Sequence, residues 1–237
     1  MALNTAFQNN LYSRAFGGTT EPGVADPYIT GYGFVWFNQI PAMLATGGYN
    51  TSMSQTQIQA TLGALAYTID IPAISLNKQT IEGTGGVQFN MPTRLNIGNT
   101  MTITFLELSG TPITNIINGW GQMLRDIRTG LSNLIGTDYR KANYSSTVYY
   151  WTTKPDGYTI EQAWALTGVW PETRITNQLN TDVTNNSDVR LDVTFSIDNI
   201  YPYSNDVLGG NSFIGSKLGG LITTILSYKE TLQTFAG

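Results

Sequence analysis

The most regular pattern of apolar and polar residues lies in the middle of the chain and has the period of an α-helix. From Ile113 onward, apolar residues recur at steps of three and four positions. Thr111 occupies the position of an N-cap, Pro112 the first helical position, and Gly130 a suitable end. The pattern predicts an amphipathic helix over residues 112–129. Core packing is the simplest explanation of its apolar stripe, and a groove on a partner protein is the alternative.

Elsewhere the period changes to two, which predicts strands. The predicted strands cover residues 32–38, 64–74, 101–108, 146–152, 161–170 and 189–201. In the last of these, one side is apolar and the other carries Arg190, Asp192, Thr194, Ser196 and Asp198. The polar run over 47–58 predicts a loop, and residues 154–157 predict a turn.

A glycine-rich segment over residues 83–86 separates two strand-like runs. After it, apolar and polar residues alternate from Val87 to Met91. The pattern predicts a β-hairpin with a flexible tip. Pro72 is expected at a strand edge or a bulge, because it cannot donate a ladder hydrogen bond.

These elements together predict an α+β domain that is mainly antiparallel β, with one inserted amphipathic helix and a sheet that curls like part of a barrel. Residues 1–29 lack periodicity and predict an irregular N-terminal arm. Residues 30–203 are predicted to be the β domain. Residues 204–237 are predicted to be a C-terminal extension that ends in a short helix over 221–235 and docks elsewhere.

The composition excludes several kinds of chemistry. The 237 residues include no cysteine and no histidine, which removes disulfides, thiolate sites and catalysis by a histidine base. Charged residues make up only 12% of the chain, roughly half of the usual share. Charged side chains keep the surface of a monomeric domain hydrated. A low share of charged residues therefore favours a surface that is covered by other copies or partners. An uncharged extracellular β protein is the alternative.

No group of residues meets the requirements of an active site. The segment 83–86 lacks the Lys-Ser/Thr of a P-loop. Asp192 and Asp198 would lie roughly 20 Å apart along one strand, too far to act as a pair. The acidic loop from Asp182 to Asp188 lacks the spacing of a calcium-binding loop. The aromatic residues 149–151 could stack on bases or sugars, but packing or subunit contact is favoured. The sequence therefore predicts no catalytic, cofactor-binding or metal site.

The charge and hydropathy also limit the partners. The net charge of −4 argues against a protein that grips phosphates, but not against a conduit that nucleic acid passes through. The longest apolar stretches are under about ten residues, too short to cross a bilayer. Residues 1–15 lack the signal-peptide pattern. We therefore expect a soluble protein made in a cytoplasm, without membrane insertion.

Two segments carry a resemblance to a known family. The stretch over 164–171 ends in Gly168-Val169-Trp170-Pro171, and after a loop comes the alternating stretch over 188–199. This arrangement resembles the C-terminal end of tail tube proteins from contractile-tailed bacteriophages. The order of elements from 64 to 200 is similar too. The two ends of the chain have no counterpart in that pattern.

The resemblance implies how the protein would assemble. Six copies would form a ring in which neighbouring sheets join into a continuous barrel, and rings would stack into the inner tail tube. The tail sheath protein would surround the tube, baseplate and neck proteins would meet its ends, and the tape measure protein and genomic DNA would occupy its lumen. The protein would then belong to the virion tail, assembled in the host cytoplasm.

The same resemblance leads to three placements. The hairpin around residues 76–89 would reach the adjacent ring, so that deletion of 83–86 would stop tube growth. The helix 112–129 would lie outside the barrel, within reach of a sheath. The polar side of the strand 189–201 would be one candidate for the bore.

Other classes of protein compete with this interpretation. The tube of a related contractile injection system is the nearest alternative. A carbohydrate-binding or adhesin module is another, favoured by 13 Tyr and 5 Trp. An enzyme is the least favoured class, because it would need a carboxylate pair that the sequence does not provide.

Overall fold

The computed structural model describes residues 32–46, 53–82, 88–134, 139–175, 188–203 and 213–235. The predicted arm (1–29), the predicted hairpin tip (83–86) and Asp182 lie outside these ranges. Within the described ranges the chain forms nine strands and five helices.

All the pairings between described strands are antiparallel. The strands are β1 (Gly33–Phe37), β2 (Ala66–Asp70), β3 (Ile74–Glu82), β4 (Gln88–Ile97), β5 (Thr100–Leu106), β6 (Ser146–Thr153), β7 (Ile160–Pro171), β8 (Arg190–Ser196) and β9 (Asn199–Tyr203). Seven of them form a sheet in the order β1-β6-β7-β8-β5-β2, with β9 also paired to β7. β3 and β4 form a separate hairpin.

Helices cover parts of this sheet. They are α1 (Ala42–Thr46), α2 (Gln55–Leu65), α3 (Pro112–Leu124), α4 (Lys141–Tyr144) and α5 (Phe213–Phe235). The predicted α+β class with mainly antiparallel strands is confirmed. The sheet of the single chain is open and not a closed barrel.

The strand β7 connects the two halves of the sheet. One of its edges pairs with β6, and the other pairs with β9 and then, through Trp170 and Pro171, with β8. The prediction of one strand over 189–201 was wrong, because a corner at Ile197 and Asp198 divides it into β8 and β9. At this corner the Ile197 N–H donates to a loop carbonyl, 2.7 Å away, and the Asp198 N–H donates to β7 at 3.0 Å. The corner lets β8 pair with β5 while β9 stays on β7.

The helix α3 fills the main core. Its residues Ile113, Ile116, Ile117, Trp120 and Met123 are fully buried, so the explanation of the apolar stripe by core packing is confirmed. The Trp120 indole N–H donates to the carbonyl of Tyr144 at 2.9 Å. Every residue of α3 is buried or half-buried. The expected place of this helix outside a barrel, within reach of a sheath, stays a prediction, and any contact there would use the half-buried side of α3.

The helix ends at Leu124, five residues before the predicted end. Arg125 has an extended backbone, and the Asp126 carboxylate accepts hydrogen bonds from the side chains of Gln122 and Thr129 and the N–H of Arg128. These bonds close a turn instead of continuing the helix. The Arg174 guanidinium donates to the carbonyl of Gly121 in the last turn and to that of Arg125, the residue after the helix. A cation in this place satisfies open carbonyls and complements the helix dipole.

The start of α3 is capped by a residue that the sequence pattern did not indicate. Thr111 is at the N-cap position as predicted, but its φ is 51° and its side chain makes no capping bond. Glu107 supplies the acceptors: its carboxylate accepts the N–H groups of Ile113 at 3.1 Å and Thr114 at 2.9 Å, and the Thr114 hydroxyl at 2.7 Å. A carboxylate at this end also favours the helix dipole.

We expect Glu107→Ala to lower the free energy of unfolding by about 2 kcal/mol, because the first-turn N–H groups lose their acceptor. Thr111→Gly is the matched control. It should be neutral or stabilising, because glycine adopts positive φ without strain. Urea unfolding followed by tryptophan fluorescence measures both. A loss for Thr111→Gly as large as that for Glu107→Ala would contradict the assignment of the cap to Glu107 alone.

The polar loop predicted over 47–58 was wrong for its last residues, which begin α2. Ser54 accepts the N–H of Gln57, and the Gln57 side chain accepts the N–H of Ser54. This reciprocal pair is a capping box. It starts a helix whose later residues, including Ile58 and Leu62, are fully buried. The strand predicted over 64–74 is correspondingly shorter: β2 ends at Asp70, and Pro72 lies in the break before β3.

The helix α5 is longer than the predicted 221–235 and packs on the chain's own sheet. Its residues Leu218, Ile222 and Ile225, spaced by four and three, form a second cluster with Trp36 and Trp151. This cluster covers the face of β1 and β6 that points away from the main core. The expected docking elsewhere is therefore replaced by packing within the chain. No described helix is long and apolar enough to cross a membrane.

Candidate assembly surfaces

The hairpin of β3 and β4, here called the hairpin arm, exposes apolar side chains over its whole length. All of its side chains whose surroundings are described are exposed. The large apolar ones have exposed fractions between 42% and 66%: Ile74, Leu76, Ile81, Phe89, Met91 and Leu95. A two-stranded ribbon has no face of its own to bury such side chains. Within the described residues of the single chain, nothing buries these apolar side chains.

The apolar side chains of the arm lie on opposite faces at its base and near its tip. Ile74 and Leu76 share one face of β3, whereas Ile81, an odd number of residues further on, is on the other. Cross-strand partners share a face, so Leu95 joins Leu76 and Phe89 joins Ile81. The extra residue of the irregular step between Leu76 and Lys78 is in β4, so it does not change the alternation along β3. The arm thus presents two apolar surfaces that point in opposite directions.

A second surface, the threonine face, covers the outer side of β2, β5 and β8. Cross-strand pairing aligns Thr68 with Thr104 and Asp192, and Asp70 with Thr102 and Thr194. The Thr104 hydroxyl donates to the Asp192 carboxylate at 2.7 Å. This surface is polar, and two of its side chains, Asp70 and Asp192, are acidic.

The predicted polar side of the strand 189–201 is only partly preserved. Arg190, Asp192 and Thr194 remain on the threonine face, where the Arg190 guanidinium lies 4.2 Å from the centre of the Tyr67 ring. Asp198 leaves this face at the corner and forms an ion pair with Lys141 at 2.6 Å. The sequence could not show this, because the alternation continues across the corner.

The element Gly168-Val169-Trp170-Pro171 adjoins this corner. Gly168 has a φ of 70°, and a Cβ atom there would overlap the carboxylate of Asp198. The glycine therefore serves two needs, a left-handed backbone and close approach of the corner. Besides carrying the resemblance to the tail tube family, the motif therefore has a structural role, because Gly168 determines where β8 turns into β9.

We expect Gly168→Ala to lower the free energy of unfolding by at least about 2 kcal/mol, because of backbone strain and the overlap with Asp198. Gly219→Ala in α5 is the control, since a Cβ there meets nothing within 4 Å. That change should stabilise the helix by about 0.5–1 kcal/mol. Thermal unfolding followed by circular dichroism compares the two. Equal stability of the two variants would contradict this role of Gly168.

The aromatic residues 149–151 are used mainly for packing. Trp151 is fully buried and stacks on Phe34 with 5.7 Å between ring centres. Tyr150 stacks on Trp164 at 5.3 Å. The Lys217 ammonium lies 5.4 Å from the centre of the Tyr149 ring. In the described structure, the aromatic residues 149–151 therefore serve packing, which is the role that the sequence favoured.

The carboxylates with perturbed pKa values close turns. Hydrogen bonds from the Arg128 backbone and the Gln122 side chain lower the pKa of Asp126. Bonds from the side chain and backbone of Thr159 lower the pKa of Asp156, in the predicted turn 154–157. Burial raises the pKa of Tyr203. In the described part of the chain, no group of three acidic residues could hold a metal ion.

Comparisons with known proteins give matches among solved structures. No protein-family model matches the chain, and no curated protein matches it significantly. One match is the sheath/tube terminator of PVC, an extracellular contractile injection system, in the extended state. Its sequence is 14% identical to this chain. The match covers 76% of this chain and 98% of that chain, with a TM-score of 0.46. A chain of the extended PVC sheath-tube complex is 14% identical, with coverages of 75% and 92% and a TM-score of 0.46. The tube terminating cap of the anti-feeding prophage is 14% identical, with coverages of 78% and 99% and a TM-score of 0.45.

Proposed function

We propose that the chain is a structural subunit of a contractile tail, in which six copies close into a ring and rings stack into a tube. The observation that carries the proposal is the hairpin arm, with its exposed apolar side chains on both faces. Monomeric proteins rarely expose contiguous apolar surface, and larger patches mark sites of association. The Gly168-Val169-Trp170-Pro171 element and the alternating stretch after it support the tail tube family.

One free edge of the sheet supports closure into a ring. β1 and β2 are its terminal strands, and each pairs with a single strand within the described residues. The largely exposed β2 presents backbone groups that a neighbouring copy can pair with, whereas Val35 and Phe37 of β1 are buried and α2 packs against that strand. A contact between the β2 edge of one copy and a different surface of the next is heterologous, and heterologous contacts form rings where the rotation closes. In this proposal the continuous barrel arises only in the ring.

The threonine face suits the bore of such a tube. Its charged members are Asp70, Asp192 and Arg190, beside the hydroxyls of Thr68, Thr102, Thr104 and Thr194. A surface with so few cations does not hold phosphates, so nucleic acid can slide past it. The sheath, baseplate and neck proteins, and the tape measure protein and DNA in the lumen, belong to the same proposal, as does a location in the virion tail.

Electron microscopy of the purified full chain at high concentration tests the proposal. We expect hollow rings or stacked tubes. Phe89→Ser combined with Met91→Ser should raise the concentration needed for assembly roughly tenfold or more, because each buried apolar side chain is worth about 1.5–3 kcal/mol. Sedimentation gives that concentration.

The control variant is Thr80→Ser combined with Asn90→Ser. This pair lies on the opposite face of the arm at the same height, and its side chains bond only each other in the described contacts, at 2.8 Å. It should assemble like the unmodified chain. Compact monomers at every concentration, with circular dichroism showing a folded protein, would contradict the proposed function.

A further inference from the structure

Both ends of the Asn118 side-chain amide are bonded to the main chain of one residue outside the helix. The Asn118 Nδ2 donates to the carbonyl of Ile175 at 2.9 Å, and its Oδ1 accepts the N–H of Ile175 at 2.9 Å. An amide side chain has both donors and an acceptor, so it can bond a strand as a neighbouring strand would. Ile175 is buried in the main core. This pair of bonds, here called the amide clamp, holds the chain that leaves β7 against α3.

The residue after Asn118 is Gly119, and the sequence contains this Asn-Gly pair once. In a flexible chain, such a pair is prone to lose its side-chain amide, because the main-chain nitrogen of the second residue can attack the amide carbon of the first. Glycine has no Cβ that would hinder this approach. Every other asparagine of the chain precedes a residue with a side chain.

The folded chain keeps this pair in an arrangement that opposes the reaction. Both residues lie inside α3, and Gly119 is buried. In an α-helix each main-chain N–H bonds to the carbonyl four residues earlier. The attack requires the Gly119 nitrogen to give up its hydrogen and approach the Asn118 amide carbon, so the helical bond opposes it. The amide clamp holds the Asn118 side chain from its other end.

We propose that Asn118 is a deamidation site that the fold keeps closed and that opens when α3 separates from the segment around Ile175. In the opened chain, the Gly119 nitrogen forms a bond to Cγ of Asn118. The bond between Cγ and Nδ2 breaks, and the amide group leaves as ammonia with the proton from the Gly119 nitrogen. Water then opens the cyclic imide at either of its two carbonyls, which leaves aspartate or isoaspartate at position 118.

The product cannot rebuild the amide clamp. A carboxylate has acceptors and no donor, so it can accept the Ile175 N–H but cannot donate to the Ile175 carbonyl. Loss of a donor to a partly buried carbonyl costs stability, and isoaspartate also lengthens the main chain of the helix by one atom. A chain that has opened for long enough is thus permanently weakened. This chemistry belongs to the single chain, whether or not copies assemble into rings.

Incubation of the full chain in mildly alkaline buffer, with and without concentrated guanidinium chloride, tests the closed state. Peptide mass spectrometry detects the loss of the amide at position 118. We expect conversion to be at least about tenfold slower in the folded protein, because the reaction there requires an opening of α3. In guanidinium chloride, Asn118 should convert before Asn115, which precedes an isoleucine. Equal rates in the two solutions, or no conversion at position 118 in guanidinium chloride, would overturn the proposal.

A pair of variants distinguishes a local opening from unfolding of the whole chain. Ile175→Ala loosens the segment that carries the amide clamp and leaves Asn118 and Gly119 unchanged. We expect it to speed the conversion in folded protein. Ile222→Ala is the matched control, because it removes as large a buried side chain from the second cluster, under α5. It should speed the conversion much less. Equal acceleration by the two variants would contradict an opening between α3 and Ile175.

Asn118→Asp reproduces one product along the full chain. It should shift guanidinium unfolding to a lower midpoint, because the carboxylate cannot donate to Ile175. Asn115→Asp makes the same change near the start of α3, where an acidic side chain is favourable, and should shift the midpoint much less. Equal shifts would contradict the role of the amide clamp. The incubation uses the unmodified chain, so its result stands even where Asn118→Asp does not fold.

Discussion

The arrangement of this molecule depends on β7, which pairs with three other strands. One edge of β7 is occupied by β6, and the other is shared by β9 and the end of β8. Sharing one edge between two strands requires a corner between them. Gly168 has a positive φ and no Cβ, and the missing Cβ makes room for the Asp198 carboxylate at that corner. Without the corner, β8 could not pair with β5, and α3 would lose the sheet that covers its apolar stripe.

The surface of the chain divides into regions with different chemistry. The main core and the second cluster under α5 cover both faces of β1 and β6, and the threonine face is polar. The exposed large apolar side chains gather especially on the hairpin arm, which includes Leu76, Phe89 and Leu95. Substitutions on the exposed side chains of the arm should therefore leave the core packing intact.

The sequence predicted those elements whose periodicity is set by one buried face. The stripe of α3 and the buried side of β8 are of this kind, whereas the hairpin was predicted from the glycine-rich segment between its two strands. It did not predict features that depend on residues distant in sequence or on backbone geometry. Glu107 caps α3 from outside the helix, and Arg174 meets the last turn from about fifty residues away. The capping box of Ser54 and Gln57 is a local signal that could have revealed α2.

The corner at Asp198 and the two-sided arm were hidden from sequence reasoning for related reasons. Alternation continues through Ile197, so a period of two cannot reveal that the strand changes partners. Along the arm, the apolar residues change face between Leu76 and Ile81, which weakens the periodic signal. That weak signal is itself informative: a strand buried on one side would keep its apolar residues in register. A strand whose apolar residues change face halfway presents an apolar surface on each side.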